Sequence, residues 1–152
     1  MVGKPVAHLN RALCRREMAN RFITLFYGVM TRDRRFTYCN AGHCQPMLVQ
    51  ASRIRRLTVG GLPPGLFDDA RYEEESLSIE SGDTLVVFSD GVSEAARSRQ
   101  EFGEDRILEI VTRHRDASAS TILERLMSAV REFTGTARQR DDMSGLVVRY
   151  LA

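Results

Sequence analysis

The stretch TLVVFSDGVSEA, residues 84–95, indicates how this chain is organised. Its first five residues, Thr84 to Phe88, do not alternate between apolar and polar positions, which is typical of a strand buried on both faces. Asp90 and Gly91 follow, so a carboxylate is held at the end of a rigid strand where a ligand can approach closely. Two interpretations stay open from this stretch alone. Asp90 binds a metal ion, or it caps the turn or short helix that follows.

Composition predicts a globular chain with a core of its own. Its 152 residues are 43% hydrophobic and 28% charged, which fits a single domain over residues 1–152. The net charge of +2 comes from interspersed acids and bases, and no apolar run is long enough for a membrane span. We therefore expect no nucleic-acid partner and no membrane partner. An odd cysteine count and the lack of a charged-then-apolar leader favour a reducing, cytoplasmic setting.

Apolar and β-prone runs predict a series of strands. They cover residues 22–30, 35–40, 47–50, 73–79, 84–88 and 146–150. The first two form a hairpin across the polar turn 31–34, and the glycine- and proline-rich segment 60–65 reads as an irregular loop.

Apolar residues at three- and four-residue spacing predict three amphipathic helices. The first runs from Val6 through Leu9 and Leu13 toward Met18, and the other two cover about 103–114 and 120–133. Gly135 suits a C-terminal cap, and a polar loop follows at 136–140. With most strands before the last two helices and one strand after them, the order argues for an α+β fold with mainly antiparallel sheet.

Two acidic sites adjoin predicted buried strands. Asp90 follows one strand, and Asp141 and Asp142 precede the last one. If these strands are antiparallel neighbours, the carboxylates converge at one edge of the sheet, where they would select hard cations such as Mg²⁺ or Mn²⁺. Two such ions can clamp a phosphoryl group for attack by water. The alternative is that these aspartates only hydrogen-bond to their own turns.

Several segments, taken together and in order, resemble the successive motifs of one protein family. They are residues 22–28 (FITLFYG), 38–43 (YCNAGH), 61–65 (GLPPG), 85–95 (LVVFSDGVSEA) and 141–144 (DDMS). The family is the PPM (type 2C-like) class of metal-dependent serine/threonine protein phosphatases. The resemblance is to its bacterial branch, typified by the stage II sporulation E-like phosphatases and the sigma-factor regulators, and it covers the chain from about Leu9 to Tyr150.

The resemblance implies an antiparallel β-sandwich flanked by helices, with two Mn²⁺ or Mg²⁺ ions at one edge. It makes Asp90 and Asp141 the catalytic metal ligands. It also places Gly91 and Asp142 in the metal site, with Gly91 allowing close approach and Asp142 supporting the ligands. The implied substrate is a phosphoserine or phosphothreonine on an anti-anti-sigma-like regulatory protein, and sensor or receiver domains often precede such a domain.

One family motif is missing from the chain. The family's bridging aspartate lies in a Gly-His-Gly-type segment on opening strands, which this sequence lacks. We therefore expect an N-terminally truncated fold without its first strands, with weakened metal binding, exposed sheet edges and poor phosphatase activity. The alternative from a different class is a non-catalytic, phosphatase-like module that binds a partner or forms a homodimer through the exposed edge. The arginine content leaves a small nucleic-acid-binding domain as a third alternative, which salt-independent binding would dismiss.

Cys39, His43 and Cys44 are close in sequence, but their spacing does not match common zinc patterns. The favoured interpretation is a turn with small buried thiols, and His43 has at most a supporting role near the site.

Overall fold

A computed structural model describes residues 1–15, 22–137 and 141–151. The helices within these ranges are α1 (Gly3–Arg15), α2 (Asp90–Ser93), α3 (Glu104–Arg113) and α4 (Ala119–Thr134). The strands are β1 (Leu25–Met30), β2 (Arg35–Ala41), β3 (Met47–Val49), β4 (Ile54–Arg56), β5 (Gly60–Gly61), β6 (Glu75–Ser78), β7 (Thr84–Phe88), β8 (Ala96–Arg97), β9 (Gln100–Glu101) and β10 (Gly145–Arg149). The predicted α+β class with mainly antiparallel sheet is confirmed. Met18 and residues 138–140 of the predicted polar loop lie outside the described ranges.

The chain divides into two compact units. The first unit comprises Met1–Gln45 and Leu57–Ile79, and the second comprises Pro46–Arg56 and Glu80–Ala152. This division does not test whether residues 1–152 act as one domain, and the single domain stays a prediction. None of the helices described is long and apolar enough to cross a membrane.

The first unit is built around β2. This strand pairs antiparallel with β1, as the predicted hairpin requires, and antiparallel with β6. Tyr38 on β2 is fully buried, and its hydroxyl donates a hydrogen bond to the Glu75 carboxylate. The segment predicted as irregular loop instead contains β5, which pairs in parallel with β2. The close approach depends on Gly60, because a Cβ atom there would lie 1.9 Å from the Asn40 carbonyl oxygen.

Helix α1 packs on the same sheet. Val2 and Val6 join Cys39 and Ala41 in one buried cluster. The helix is amphipathic as predicted, but its buried face contains Gly3, Val6 and Asn10, while Leu9 and Leu13 are only partly buried. Val6 is buried as the predicted pattern indicates, and Asn10 takes a buried position that the pattern did not include, through its hydrogen bonds.

The second unit is built around β7. Its antiparallel sheet has the order β10-β7-β3-β4, so β7 has a partner on both sides. Burial along β7 alternates, with Thr84, Val86 and Phe88 buried and the two residues between them only partly buried. The expectation of a strand buried on both faces was therefore wrong, since one face of β7 is fully covered and the other is not.

Helices and a small hairpin complete the second unit. α4 packs on β10, where a Cβ atom at Gly145 would meet the side chains of Met127 and Leu123. α3 buries Ile107 and Val111 and also contacts α4. The two predicted helices at 103–114 and 120–133 are confirmed to within a residue or two. The β8–β9 hairpin was not predicted, because two-residue strands carry no periodicity that can be recognised.

Candidate functional site

The pairing of β7 with β10 brings the two acidic sites to one edge of the second unit's sheet. Phe88, the last residue of β7, lies opposite Gly145, the first residue of β10. The residues that follow Phe88 therefore lie beside those that precede Gly145. Asp90 and the Asp141-Asp142 pair are thus adjacent across two connected loops, as the antiparallel arrangement predicted.

Ser89 links the two loops directly. Its backbone N–H donates to the Ser144 carbonyl at 2.9 Å, and its hydroxyl donates to the Asp142 carbonyl at 3.0 Å. The same hydroxyl accepts from the Ser144 N–H at 2.9 Å. Sequence reasoning gave Ser89 no role, although a small hydroxyl residue just before an aspartate is a common hydrogen-bonding signal in turns.

Gly91 is where the loops come closest. A Cβ atom at this position would lie 2.3 Å from the Asp142 carbonyl oxygen and 2.9 Å from its carbonyl carbon. Both neighbouring atoms belong to backbone, which cannot rotate away as a side chain can. Gly91 is buried, and its missing side chain is what lets the Asp90 and Asp142 segments touch.

Asp90 does not cap the helix that follows it. α2 begins at Asp90 itself, and Ser89 occupies the N-cap position without a side-chain cap bond. The Asp90 Oδ1 atom instead accepts from the Gly91 N–H at 2.9 Å, and the Asp141 Oδ1 atom accepts from the Asp142 N–H at 2.8 Å. Each bond occupies one carboxylate oxygen and orients the side chain. Both aspartates are exposed, as a ligand for a hydrated cation must be.

The carboxylate oxygens of Asp90 and Asp141 are suitable ligands for a hard cation, but they are few. Mg²⁺ and Mn²⁺ prefer carboxylate oxygen and keep several waters, so two carboxylates at one edge are suitable ligands. Among residues 1–15, 22–137 and 141–151, no three His, Cys, Asp or Glu side chains form a group that could hold a metal ion. The edge thus offers carboxylates of the right type, in a smaller number than a bridged two-ion site requires.

A pocket of about 550 Å³ opens beside this edge within the second unit. Gly91 and Asp141 line one part of it, and the end of α4 and the β8–β9 hairpin supply the rest. The other lining residues are Glu94, Ala95, Ala96, Glu101, Arg131, Thr134, Gly135, Ala137 and Met143.

The cysteine and histidine candidates lie in the first unit and support its architecture. Cys39 is fully buried, and burial, together with the nearby Glu74 charge, raises the pKa of its thiol to about 11. The His43 N–H donates to the Asn40 side-chain oxygen at 2.9 Å, which fixes the loop after β2. Thr24 Oγ1 lies 3.4 Å from His43 Nδ1.

Comparison with known proteins gives a consistent result. The family model described as "Stage II sporulation protein E (SpoIIE)" matches residues 2–151. The phosphoserine phosphatase RsbU of Bacillus subtilis (strain 168) is 27% identical over 146 residues, which are 93% of this chain and 43% of RsbU. The chain thus spans less than half the length of this curated relative.

Solved structures show the same fold. The SiaA-PP2C domain of Pseudomonas aeruginosa superposes with a TM-score of 0.81 at 18% identity, covering 98% of this chain and 61% of the other. The Mn-presoaked phosphatase domain of SpoIIE from Bacillus subtilis gives a TM-score of 0.64 at 17% identity, covering 96% of this chain and 73% of the other.

Proposed function

Because the chain belongs to the SpoIIE family of metal-dependent phosphatase domains, we propose that its acidic edge hydrolyses phosphoserine or phosphothreonine on a regulatory protein. The observation that carries this proposal is the contact between the Asp90 and Asp141-Asp142 loops. Ser89, next to Asp90, forms hydrogen bonds with Asp142 and Ser144 of the other loop, and Gly91 leaves room for the contact. Two carboxylates from distant parts of the chain are thereby fixed at one exposed edge.

The chain's own residues have distinct parts in this proposal. Asp90 and Asp141 would hold Mn²⁺ or Mg²⁺, each with one carboxylate oxygen already oriented by a backbone N–H. A cation held there would supply polarisation of the phosphoryl oxygen and activation of a water molecule for in-line attack. Gly91 keeps the approach to the ions open. Asp142 contributes chiefly its carbonyl, which accepts the Ser89 hydroxyl and holds the two loops together.

The small number of carboxylates limits the expected activity. Cation affinity depends on ligand charge and number, and among the described residues no three His, Cys, Asp or Glu side chains are grouped so as to hold a metal ion. We therefore propose that the chain by itself binds the cation weakly and turns over slowly. Metal-dependent turnover of p-nitrophenyl phosphate at the rate of a complete relative, such as RsbU, would contradict this part of the proposal.

The experiment that tests the metal edge uses Asp90→Asn and Asp141→Asn. Each variant keeps the side-chain shape but removes the charge of a ligand. Mn²⁺ affinity should therefore fall by more than about tenfold, since removing even a residue that only hydrogen-bonds to a metal ligand costs about that much. Titration calorimetry with Mn²⁺ measures the affinity, and hydrolysis of a phosphoserine peptide measures the activity. The matched control is Asp69→Asn, an exposed aspartate of the first unit. If all three variants bind Mn²⁺ like the parent chain, the proposed edge is wrong.

The proposed substrate is a regulatory phosphoprotein, by analogy with the relatives of this chain. RsbU is named a phosphoserine phosphatase, and the family resemblance implies an anti-anti-sigma-like phosphoprotein as substrate. We propose such a protein as the substrate, and a sensor or receiver domain as the natural neighbour of this domain.

A specific surface supports a second candidate, a phosphatase-like interaction or dimerisation module. β10 is the terminal strand of its sheet, and its Leu146 and Val148 side chains are 55% and 42% exposed. Exposed apolar side chains on an edge strand are a ready site for pairing with another chain. This candidate requires no cation at Asp90, so Mn²⁺ binding that is lost on Asp90→Asn favours the phosphatase.

A further inference from the structure

We propose that the pocket beside Asp141 is a subsite for a basic side chain that flanks the phosphorylated residue of the substrate. Glu94 and Glu101 would meet the positive charge of that side chain. This inference rests on the proposed phosphatase function and adds a substrate preference to it.

The β8–β9 hairpin and the turn before it supply the two glutamates that line the pocket. Glu101 lies directly opposite Ala96 in the antiparallel register. The pairing continues beyond the strands, since the Phe102 N–H donates to the Ala95 carbonyl and the Gly103 N–H donates to the Ser93 carbonyl, both at 2.8 Å. Glu94 lies at the C-cap of α2, just before this hairpin, with φ −91° and ψ 4°. Glu94 and Glu101 both line the pocket.

The backbone of Glu101 is held firmly by residues behind the hairpin. The Arg106 guanidinium donates to the carbonyl oxygens of Glu101 and Phe102. It also lies 4.8 Å from the centroid of the Phe133 ring, which packs edge-on against Phe102 at 5.6 Å. Phe102 itself is only 2% exposed. The hairpin is thus anchored to α3 and α4, and the Glu101 side chain projects from a fixed base.

The walls of the pocket suit a long side chain with a charged end. Ala95, Ala96 and Met143 contribute apolar surface to the same pocket as Asp141 and the two glutamates. Lysine and arginine bury their aliphatic stems along such surface while their charged ends reach a polar partner. A phosphoserine at the Asp141 end would place its neighbouring side chain along this wall.

The charges of the lining residues favour a basic occupant over an acidic one. Among the lining residues that the structure describes, three carboxylates, those of Glu94, Glu101 and Asp141, share the pocket with one guanidinium, that of Arg131. With Asp141 engaged by a cation, the two glutamates remain, and neither forms an ion pair within the part of the chain that the structure describes. Glu104 in the same unit, by contrast, is paired with Arg56 at 3.0 Å. An acidic flanking residue would be repelled from the pocket.

The test compares two phosphoserine peptides that differ only next to the phosphorylated residue, one with arginine and one with glutamate. Titration calorimetry in the presence of Mn²⁺ measures the affinity of the whole chain for each peptide. We expect the arginine peptide to bind about threefold to tenfold more tightly, since each exposed ion pair contributes only modestly. In the double variant Glu94→Gln/Glu101→Gln this ratio should fall to about one.

The matched control is Glu124→Gln/Glu132→Gln, which removes two exposed glutamates of α4 that do not line the pocket. Its preference should equal that of the parent chain. Equal affinity for the two peptides, a preference unaffected by the pocket variant, or no binding of either peptide at millimolar concentration would each overturn the subsite.

Hydrolysis of p-nitrophenyl phosphate by the parent chain separates this inference from the proposed function. That compound has no flanking side chain, so it reports the acidic edge alone. A chain that hydrolyses it but does not distinguish the peptides is a phosphatase without this subsite. A chain that distinguishes the peptides but hydrolyses nothing retains the subsite and fails as a phosphatase.

Discussion

At the scale of single residues, the decisive feature is the close contact of Gly91 with the Asp142 backbone. A helical glycine normally costs about 1 kcal/mol of stability relative to alanine, so Gly91 needs a reason to be in α2. The reason is steric, because any Cβ atom would overlap the Asp142 carbonyl. The glycine is therefore a requirement of the acidic edge and not of the local backbone.

Gly91→Ala tests this requirement. The substitution should force the Asp141-Asp142 segment away from Asp90, lowering the free energy of unfolding by roughly 1–3 kcal/mol, as overpacking does. Mn²⁺ affinity should fall with it, since the two carboxylates separate. Urea denaturation and titration calorimetry measure the two effects.

Gly145→Ala serves as the comparison for Gly91→Ala. Its new Cβ atom would meet the Met127 and Leu123 side-chain ends, which can move aside at small cost. We expect a smaller loss of stability and little change in Mn²⁺ affinity. If both variants behave alike, the close approach at Gly91 has no special part in holding the edge.

Sequence reasoning predicted how the two acidic loops meet, and the role of their aspartates as metal ligands stays a prediction. It predicted that Asp90 and Asp141 meet, because the end of one buried strand and the start of its antiparallel neighbour must share an edge. It did not identify Ser89 as the residue that connects the two loops. Nor did it recognise that the Asp90 carboxylate accepts a hydrogen bond from the Gly91 N–H and does not cap a helix. Such details depend on which hydroxyl and carbonyl face each other across two loops, and a single sequence does not specify this.

At the scale of elements, long periodic segments were predicted well and short ones were missed. α3 and α4 have apolar residues at three- and four-residue spacing, and β7 has a continuous apolar run, so each carries its own signal. The two-residue strands β5, β8 and β9 form only because their neighbours supply hydrogen-bond partners. Asn10 is likewise buried on α1 because of tertiary contacts, namely its hydrogen bonds to the segment 65–68.

Asn10 links α1 to the loop that precedes β6, and its removal should destabilise the first unit. Its side-chain NH₂ donates to the carbonyl oxygens of Phe67 and Asp68, and its oxygen accepts from the Gly65 N–H at 2.8 Å. Asn10→Ala removes all three of these bonds at a position only 1% exposed, and only the Phe67 carbonyl has a second donor in the structure, the Ala70 N–H, among the bonds described for these groups. We expect a loss of roughly 2–4 kcal/mol in the free energy of unfolding.

Urea denaturation followed by circular dichroism measures the Asn10→Ala effect. His8→Ala, an exposed change on the same helix, should leave the unfolding midpoint nearly unchanged. Asn10→Asp should fall between the two, because its carboxylate still accepts from Gly65 but no longer donates. An Asn10→Ala midpoint equal to that of His8→Ala would show that the buried hydrogen bonds contribute nothing.

At the scale of the whole molecule, the proposed chemistry lies in one unit. The acidic edge, the pocket and the β8–β9 hairpin all belong to the second unit. The same unit carries the apolar edge of β10, while the first unit buries its own cluster around β2. The chain spans 43% of RsbU and 61% of the SiaA domain.

Leu146→Thr/Val148→Thr tests whether the β10 edge promotes association. Threonine keeps the β propensity of the strand while removing much of the exposed apolar surface. If the edge pairs between copies, sedimentation velocity should show a concentration-dependent dimer in the parent chain and less of it in the variant. Ile54→Thr is the control, because Ile54 is 44% exposed on β4, the opposite terminal strand of the same sheet. Dimerisation that is equal in all three chains would exclude β10 as the interface.

The hydrogen bond from buried Tyr38 to Glu75 affects the intrinsic tyrosine fluorescence of this chain. The sequence contains no tryptophan, and three of its four tyrosines, at positions 27, 38 and 72, belong to the first unit. A phenol that is hydrogen-bonded to a carboxylate fluoresces weakly. Unfolding of the first unit should therefore increase the intensity of tyrosine fluorescence. Tyrosine fluorescence would then report mainly on the first unit, whereas the aspartate edge lies in the second unit, which contains only Tyr150 of the four tyrosines. A cation titration followed by this fluorescence would therefore be a poor measure of binding at that edge.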